Sequence, residues 1–498
     1  MTTASLPTPL SALYRSSLAL ATDLYQLTMA QAYWHAGVAE REAVFHLTFR
    51  KEPFNGGYAI AAGTGLAIDY LAQARLDDSD LDYLATIAGA DGKPLFQPGF
   101  LAYLRGQRFT GTVDVVPEGA AVFAHEPLVR VRAPILWAQL VETPLLALVN
   151  FSTLIATKAA RVVAAAGGDP VIEMGLRRAQ GFDGGLTAAR AAWIGGVSAT
   201  SNVLAGKLYG LPVRGTHAHS WVMFWGDDEE AFRRYAAAVP GATTFLCDTF
   251  DTEAGVAAAI AVGRELRAAG AGDVMGVRLD SGDLAHLSIQ ARAALDAAGF
   301  ASTRVVASND LDEHLITSLK LQGARIDTWG VGTKLITAYD QPALGGVYKL
   351  GAVREPAGGW RYPIKLSEQP IKISTPGIAG VRRVWQGGAL VGDVIYDAEA
   401  GPSTPRAAHH LADPTRRFAL AGDREEELLV PAMVDGAVVG APSDLVAARA
   451  RCAADLAALS PRTRRADNPQ PYPVGLDPVL HERKLALIAA ARAKAGAA

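Results

Sequence analysis

From Asp169 to about Ala338 the chain repeats one pattern, an apolar extended segment followed by a helix-forming one. That alternation restricts this part of the chain to a parallel α/β architecture. The extended segments are VIEMGLR (171–177), PVRGTHAHS (212–220), TTFLCD (243–248), VMGVRLD (274–280), TRVVAS (303–308) and IDTWGVGT (326–333). Helices are expected around 187–207, from about 228, and near 253–269, 284–298 and 311–321. Units of ~30 residues suit parallel strands joined by crossover helices. A closed or incomplete β/α barrel and an open doubly wound sheet both satisfy the pattern. No Gly-x-Gly-x-x-Gly opens the first unit, and the barrel is the favoured form.

The flanks read differently. Residues 1–20 look like a flexible lead. Leu20 to Trp34 suits a helix with Leu24, Leu27, Ala30 and Ala32 on its apolar face and Tyr25 in its first turn, where core packing is the simplest role for the ring. AVFHLTF (43–49) alternates like a strand and is followed by Arg50-Lys51. Residues 76–104 suit helices, 109–131 strands, and 135–165 a long apolar helix broken at Pro144. Beyond residue 345 the alternation fades. VYKL (347–350) and RYPIKLS (361–367) suit strands, Gly/Pro-rich and charged segments follow, and the tail from Ser443 suits helices. The expected fold class is therefore α/β: an irregular β/α barrel of parallel strands (149–345), an N-terminal α+β domain (1–148) and a C-terminal extension (346–498).

Composition narrows the function classes. A formal net charge of -3 provides no strong field for nucleic acid or an anionic membrane. No membrane-spanning run or signal-like start is expected, and two cysteines, Cys247 and Cys452, give no disulfide framework. A cytoplasmic protein is the expectation.

In a β/α barrel the chemistry lies at the C-terminal ends of the strands. Those ends carry Arg177; Thr216, His217, His219 and Ser220; Asp248 and Asp251; Arg278, Asp280 and Ser281-Gly282-Asp283; Ser308, Asn309 and Asp310; then Gly330, Gly332, Thr333 and Lys334. Period-two alternation would set His217 and His219 on one side. Ser, Thr, Asn and Asp at such points also serve as helix caps. Capping does not account for the arginines, nor for cations, carboxylates and an imidazole converging. Backbone N–H groups and hydroxyls at successive strand–helix junctions make a phosphate site. Asp280 could hold ribose hydroxyls or a magnesium-bound water, Arg177 and Arg278 an anion, and His219 could serve as nucleophile, acid/base or metal ligand. The substrate suggested is anionic, phosphorylated and sugar-containing. A His-x-His metal hydrolase is the rival, but His286 and His314 fall inside expected helices rather than at strand ends.

The stretches TDLYQLTM (22–29), FRKEPFNGGYAIAAG (49–63), EMGLRRAQGFDG (173–184), GGVSATSN (195–202), GTHAHSW (215–221), CDTFDT (247–252), GVRLDSGDL (276–284), ASNDLDE (307–313) and DTWGVGTKL (327–335) resemble, in order, the nicotinate phosphoribosyltransferases of the type II phosphoribosyltransferase fold. The resemblance implies conversion of nicotinate and phosphoribosyl pyrophosphate to nicotinate mononucleotide and pyrophosphate, coupled to ATP hydrolysis, with Mg2+ on the diphosphate rather than on protein ligands. It implies that His219 is phosphorylated, with Asp248 and Asp280 as its neighbouring carboxylates and His217 secondary. It assigns Tyr25, Thr216, Arg177 and Arg278 to nicotinate, with Tyr25 crossing a homodimer to the neighbouring site. Ser308, Asn309, Gly332 and Thr333 match the 5′-phosphate site, and Arg50, Lys365 and Lys372 the diphosphate cations. Ser198 stands where the related nicotinamide enzyme has an aspartate, which favours the acid over the amide. Alternatives are a relative using nicotinamide or quinolinate, and a binding protein without turnover, against which intact His219, Asp248, Asp280 and Arg278 argue.

Overall fold

The computed structural model describes residues 18–496, apart from 370–371, 404–406, 412, 414 and 442–443. The chain forms two compact units, one of residues 152–343 and one of residues up to 151 together with 344 onward.

The 152–343 unit holds six parallel strands: β1 (Val171–Glu173), β2 (Ala199–Thr200), β3 (Thr244–Leu246), β4 (Gly276–Leu279), β5 (Arg304–Ala307) and β6 (Thr328–Val331). Their order is β2-β1-β6-β5-β4-β3. Except for β2 and β3, each strand pairs with its neighbour in the chain, and β6 pairs with β1, which is the circular order of a barrel. The ladder has one seam, between β2 and β3. Val213 makes a single parallel bridge to Thr200 on one side of it. On the other, His217 Nε2 accepts the Leu246 N–H at 3.2 Å. The expected strand at 212–220 is thus an extended loop, and a helix, His219–Trp225, begins inside it. The expected helix at 187–207 is instead Gly181–Ile194, β2 and Val203–Tyr209. Gly195-Gly196 stops the first helix, with Gly196 at φ +109°, and Asn202 caps the second by accepting the Ala205 N–H. Asp251, Asp283 and Asp312 cap the helices after β3, β4 and β5. Among the strand-end residues, Asp251 and Asp283 therefore have the structural role.

The other unit is built on two large sheets and a two-stranded one, Ala59–Ile60 with Ala121–Val122. A seven-stranded sheet runs Trp360–Arg361, Gly346–Arg354, Glu42–Phe49, Val129–Pro134, Thr112–Val115, Val430–Val434 and Ala437–Val438, all antiparallel. An interior strand, Glu42–Phe49, is buried on both faces, so its apolar residues do not alternate in burial. The second sheet, of six strands, contains Ala379–Gln386, Ala389–Asp397, Ala407–His410, Arg417–Ala419, Arg424–Glu427 and Val474–Leu476. The sequence reading missed this sheet, whose strands are separated in the chain by Gly- and Pro-rich and charged segments. Of the expected strand at 361–367 only Arg361 is paired. Arg383 fastens the sheet internally: fully buried, it bonds both oxygens of Asp393, one of Asp455 and the Ala121 carbonyl.

Pro144 does not break the long helix, which runs Glu142–Ala166 with Pro144 in its first turn, where the missing N–H has no intrahelical partner to lose. This helix is long and apolar enough to span a membrane, contrary to the sequence reading, and 67% of its most apolar window is buried in the protein. The first helix is Leu24–His35 and buries Gln26, Leu27 and Ala30, leaving Leu24 and Tyr25 exposed. Tyr25 is therefore not a core ring.

Two histidines are buried as neutral acceptors. His46 Nε2 takes the Ala379 N–H at 3.0 Å, and burial, then Arg130, pushes its pKa down to about 3. Burial is also the main cause that lowers His217 to about 4. The unfolded chain binds these protons near pH 6.5 and the folded chain does not, so stability is lost as pH falls from about 6.5 toward 4. Thermal unfolding at pH 5 is expected to show a penalty of about 2 kcal/mol per histidine relative to neutral pH, reduced in His46→Gln. An unchanged midpoint between pH 7 and 5 would contradict this.

Candidate active site

The centre of the barrel's strand ends is Arg278, on β4. Its Nε donates to Ser308 Oγ at 2.8 Å, one Nη to Thr216 Oγ1 at 2.9 Å and the other to Asp280 Oδ1 at 3.0 Å. Ser308 in turn donates to Asp280. One guanidinium thus ties the loop after β2, the end of β4 and the end of β5 into a single frame. Burial works against ionisation of Asp280, yet the Ser308 bond and Arg278 outweigh it and hold the carboxyl below its usual range.

His219 opens the helix that ends the loop carrying Thr216, part-exposed. Nδ1 lies 3.2 Å from Thr249 Oγ1, while Nε2 faces Asp280 at 3.7 Å and Asp248 at 4.0 Å. Those gaps exceed hydrogen-bond length. Asp248 is buried; its Oδ2 accepts from the Asp280 N–H and the Ser281 hydroxyl, at 3.0 and 2.5 Å. Its Oδ1 is buried with no hydrogen-bond partner. A buried carboxylate oxygen left in this way is completed by a cation or a strong donor. His217 and His219 do not share a side. His217 turns inward against Phe232, Tyr235 and Phe245 and closes the seam.

A cavity opens beside this frame, lined by Met174, Arg177, Arg178, Arg278, Asp280, Ser308, Asn309, Asp310, Gly330, Gly332 and Thr333. Gly330 leaves room that a side chain would fill: a Cβ there would meet Met174 Sδ at 2.9 Å. Asn309 and Asp310 hold left-handed backbone, at φ +91° and +34°, a strained turn of a kind that clusters at ligand sites. Three arginines against two aspartates make the lining cationic. Arg278→Lys is expected to lower turnover about 10²-fold or more, because one ammonium cannot make three divergent bonds. Steady-state rates check this, and a change below threefold would remove Arg278 from the site.

In the other unit, Arg50 and Lys372 line one cavity together with His46, His125 and Lys349. Lys365 is exposed and is joined to the cavity residue Ser374 by its own N–H, at 2.9 Å. Burial, Arg50 and Lys365 lower the Lys349 pKa against the opposing charge of Glu142.

Ser198 is not brought to the barrel cavity. It precedes β2, exposed, with its N–H on the carbonyl of Val171, the first residue of β1. This is the N-terminal end of those strands, opposite to the chemistry. At the other end of the same motif stands Thr200, buried and bonded to Glu173 at 2.6 Å. Ser198 therefore does not carry the choice between acid and amide. Sequence reasoning also missed Thr249 at the carboxylates and Met174 and Arg178 in the cavity, while Ser281 was among the strand-end residues. Thr249 sits one residue past Asp248, and that adjacency was the available signal.

The fold and site define a β/α-barrel protein with a cationic strand-end cavity beside a histidine–carboxylate cluster. Family models for the nicotinate phosphoribosyltransferase N-terminal domain and C-terminal domain match residues 20–150 and 381–484. A nicotinate phosphoribosyltransferase of Bacillus subtilis is 51% identical over 372 residues, 74% of this chain and 73% of that protein. The human protein of that name is 36% identical over 535 residues, covering 94% and 96%. The crystal structure of human nicotinic acid phosphoribosyltransferase superposes with a TM-score of 0.80 at 33% identity, over 94% of this chain and 99% of that one. A Pyrococcus furiosus nicotinate-nucleotide pyrophosphorylase shares the fold, with a TM-score of 0.66 at 19% identity over 91% and 97% of the chains. The chain belongs to the nicotinate phosphoribosyltransferase family.

Proposed function

We propose that the protein joins nicotinate to phosphoribosyl pyrophosphate, forming nicotinate mononucleotide and pyrophosphate for NAD biosynthesis. We further propose that ATP hydrolysis is coupled to this through a phosphate carried on His219. The observation that carries the reading is the Arg278 frame, which joins Thr216, Asp280 and Ser308 and stands beside His219.

Ser308, Asn309, Gly332 and Thr333 receive the 5′-phosphate at one side of the barrel cavity. Arg177 and Arg278, with Thr216, orient the nicotinate carboxylate so that the ring nitrogen meets C1 of the ribose. Positive lining favours the acid over nicotinamide. The C1–oxygen bond breaks, pyrophosphate leaves, and the nitrogen–carbon bond replaces it. Arg50, Lys365 and Lys372 are assigned to the diphosphate. Asp280 and the unpartnered Oδ1 of Asp248 would hold a magnesium ion through water, and that ion would neutralise the diphosphate. In the coupling step a ring nitrogen of His219 attacks the γ-phosphorus of ATP, ADP departs, and water later removes the phosphate. The exposed Tyr25 is assigned to stacking on the pyridine ring in a neighbouring subunit of a homodimer, in the cytoplasm.

Steady-state comparison of nicotinate, nicotinamide and quinolinate tests the substrate. Preference for either rival would overturn the nicotinate assignment. A monomer fully active at assay concentration would overturn the role of Tyr25 across the dimer.

A further inference from the structure

The cavity lined by Arg50 and Lys372 has a feature that no sequence motif marks. Two more basic groups converge on it from distant parts of the chain. His125 lines it directly, from the turn after Ala121–Val122. This residue holds left-handed backbone, φ +73°, and is locked there by its N–H on the Phe49 carbonyl at 2.7 Å, immediately before Arg50. Lys484 comes from the C-terminal helix Pro478–Gly496 and donates to Thr375 Oγ1, a cavity-wall residue, at 3.3 Å. The helix is held in place on either side of Lys484. Arg483 pairs with Asp397, and His481 stacks on His409 with ring centroids 3.8 Å apart.

Charge accounting gives the occupant's chemistry. Arg50, Lys349 and Lys372 line the cavity, Lys484 reaches its wall, His46 and His125 add two imidazoles, and no carboxylate is among the described lining residues. Lys484 is half-buried, and burial pulls its pKa down to about 8. Burial, Lys484 and Arg50 lower His125 to about 4. Cations gathered around one space, with Glu142 acting on Lys349, are stabilised by an anion of several charges, and a single carboxylate would leave most of them unmatched.

We propose that Lys484 and His125 are polyphosphate-binding residues, so that the C-terminal helix is part of this cavity's anion site. The inference rests on reading the Arg50–Lys372 cavity as a diphosphate site. It extends the site to a segment some 110 residues beyond Lys372 in the chain.

The test is calorimetric titration of the full chain with inorganic pyrophosphate. Lys484→Met keeps the stem and removes the charge; it is expected to weaken binding at least tenfold while the thermal midpoint stays level or rises, since an unpaired cation has been removed. Lys484→Arg should retain most of the affinity. His125→Gln should weaken binding several-fold and serves if Lys484→Met does not fold. Lys372→Met tests the cavity itself. Weakening in Lys372→Met without weakening in Lys484→Met or His125→Gln would overturn this inference and leave the diphosphate reading in place. No pyrophosphate binding, or none sensitive to Lys372, would overturn both. A lowered midpoint in Lys484→Met with unchanged affinity would make Lys484 a structural lysine only.

Discussion

His219→Asn is expected to abolish the acid-labile, base-stable phosphate that labelled ATP leaves on the protein, and to lower kcat/KM in the presence of ATP by about 10²–10⁴-fold. The side chain is part-exposed at the start of a seven-residue helix and its ring makes one near-contact of hydrogen-bond length, to Thr249, so the substitution should leave the fold intact. The change in rate then reports the lost nitrogen nucleophile and not a collapsed site. His217→Ala gives the contrast. That ring is buried against three aromatic residues and carries the Leu246 amide bond, so its loss should cost stability and leave the label on His219. Label lost only with His219→Asn, and discharged by nicotinate with phosphoribosyl pyrophosphate, supports the coupling. Label that persists without His219 moves the phosphate elsewhere. Turnover with no label at all leaves a transferase without phosphohistidine.

The second large effect is on stability. Arg383→Ala should destabilise the unit that contains it by about 3–5 kcal/mol, because it strands buried carboxylates of Asp393 and Asp455. Glu126, beside Asp393, is already held well above the usual carboxyl range, by burial first and then by that neighbour's charge. Removal of Arg383 takes away the one guanidinium that offsets this group. Arg383→Met combined with Asp393→Leu should recover much of the loss, since an apolar pair of similar volume needs no counter-charge. Denaturant midpoints of the two variants decide it; equal midpoints would mean that the ion network contributes shape and not charge balance.

Much of the barrel was legible in the sequence. Parallel buried strands are short apolar runs, and their exits are marked by polar residues that an apolar core excludes, so Thr216, Asp248, Arg278, Asp280 and Ser308 could be read directly. Loss of legibility had local causes. β2 is two residues long and lies between two helices, so its neighbourhood read as one helix, and Ser198, matched by resemblance alone, proves to precede a strand at its N-terminal end. The six-stranded sheet was hidden because pairing partners as distant as Val394 and Gly475 leave no local pattern. The convergence of Arg50, His125 and Lys484 is purely tertiary; nothing in the spacing of those residues announces it.

The continuity of the barrel against the discontinuity of its companion has a consequence for biogenesis. Residues 152–343 are consecutive, so everything this unit needs to fold is available once that stretch has left the ribosome. The strand Glu42–Phe49 is made first but must wait for Gly346–Arg354, its partner across residues 43–353, with the whole barrel synthesised in between. During that interval an apolar strand has one hydrogen-bonding edge unmet, the condition that invites pairing with another nascent chain. Synthesis that stalls between residues 152 and 343 should therefore leave a chain prone to aggregate through its N-terminal sheet, and a co-expressed fragment beginning near Leu344 should rescue it.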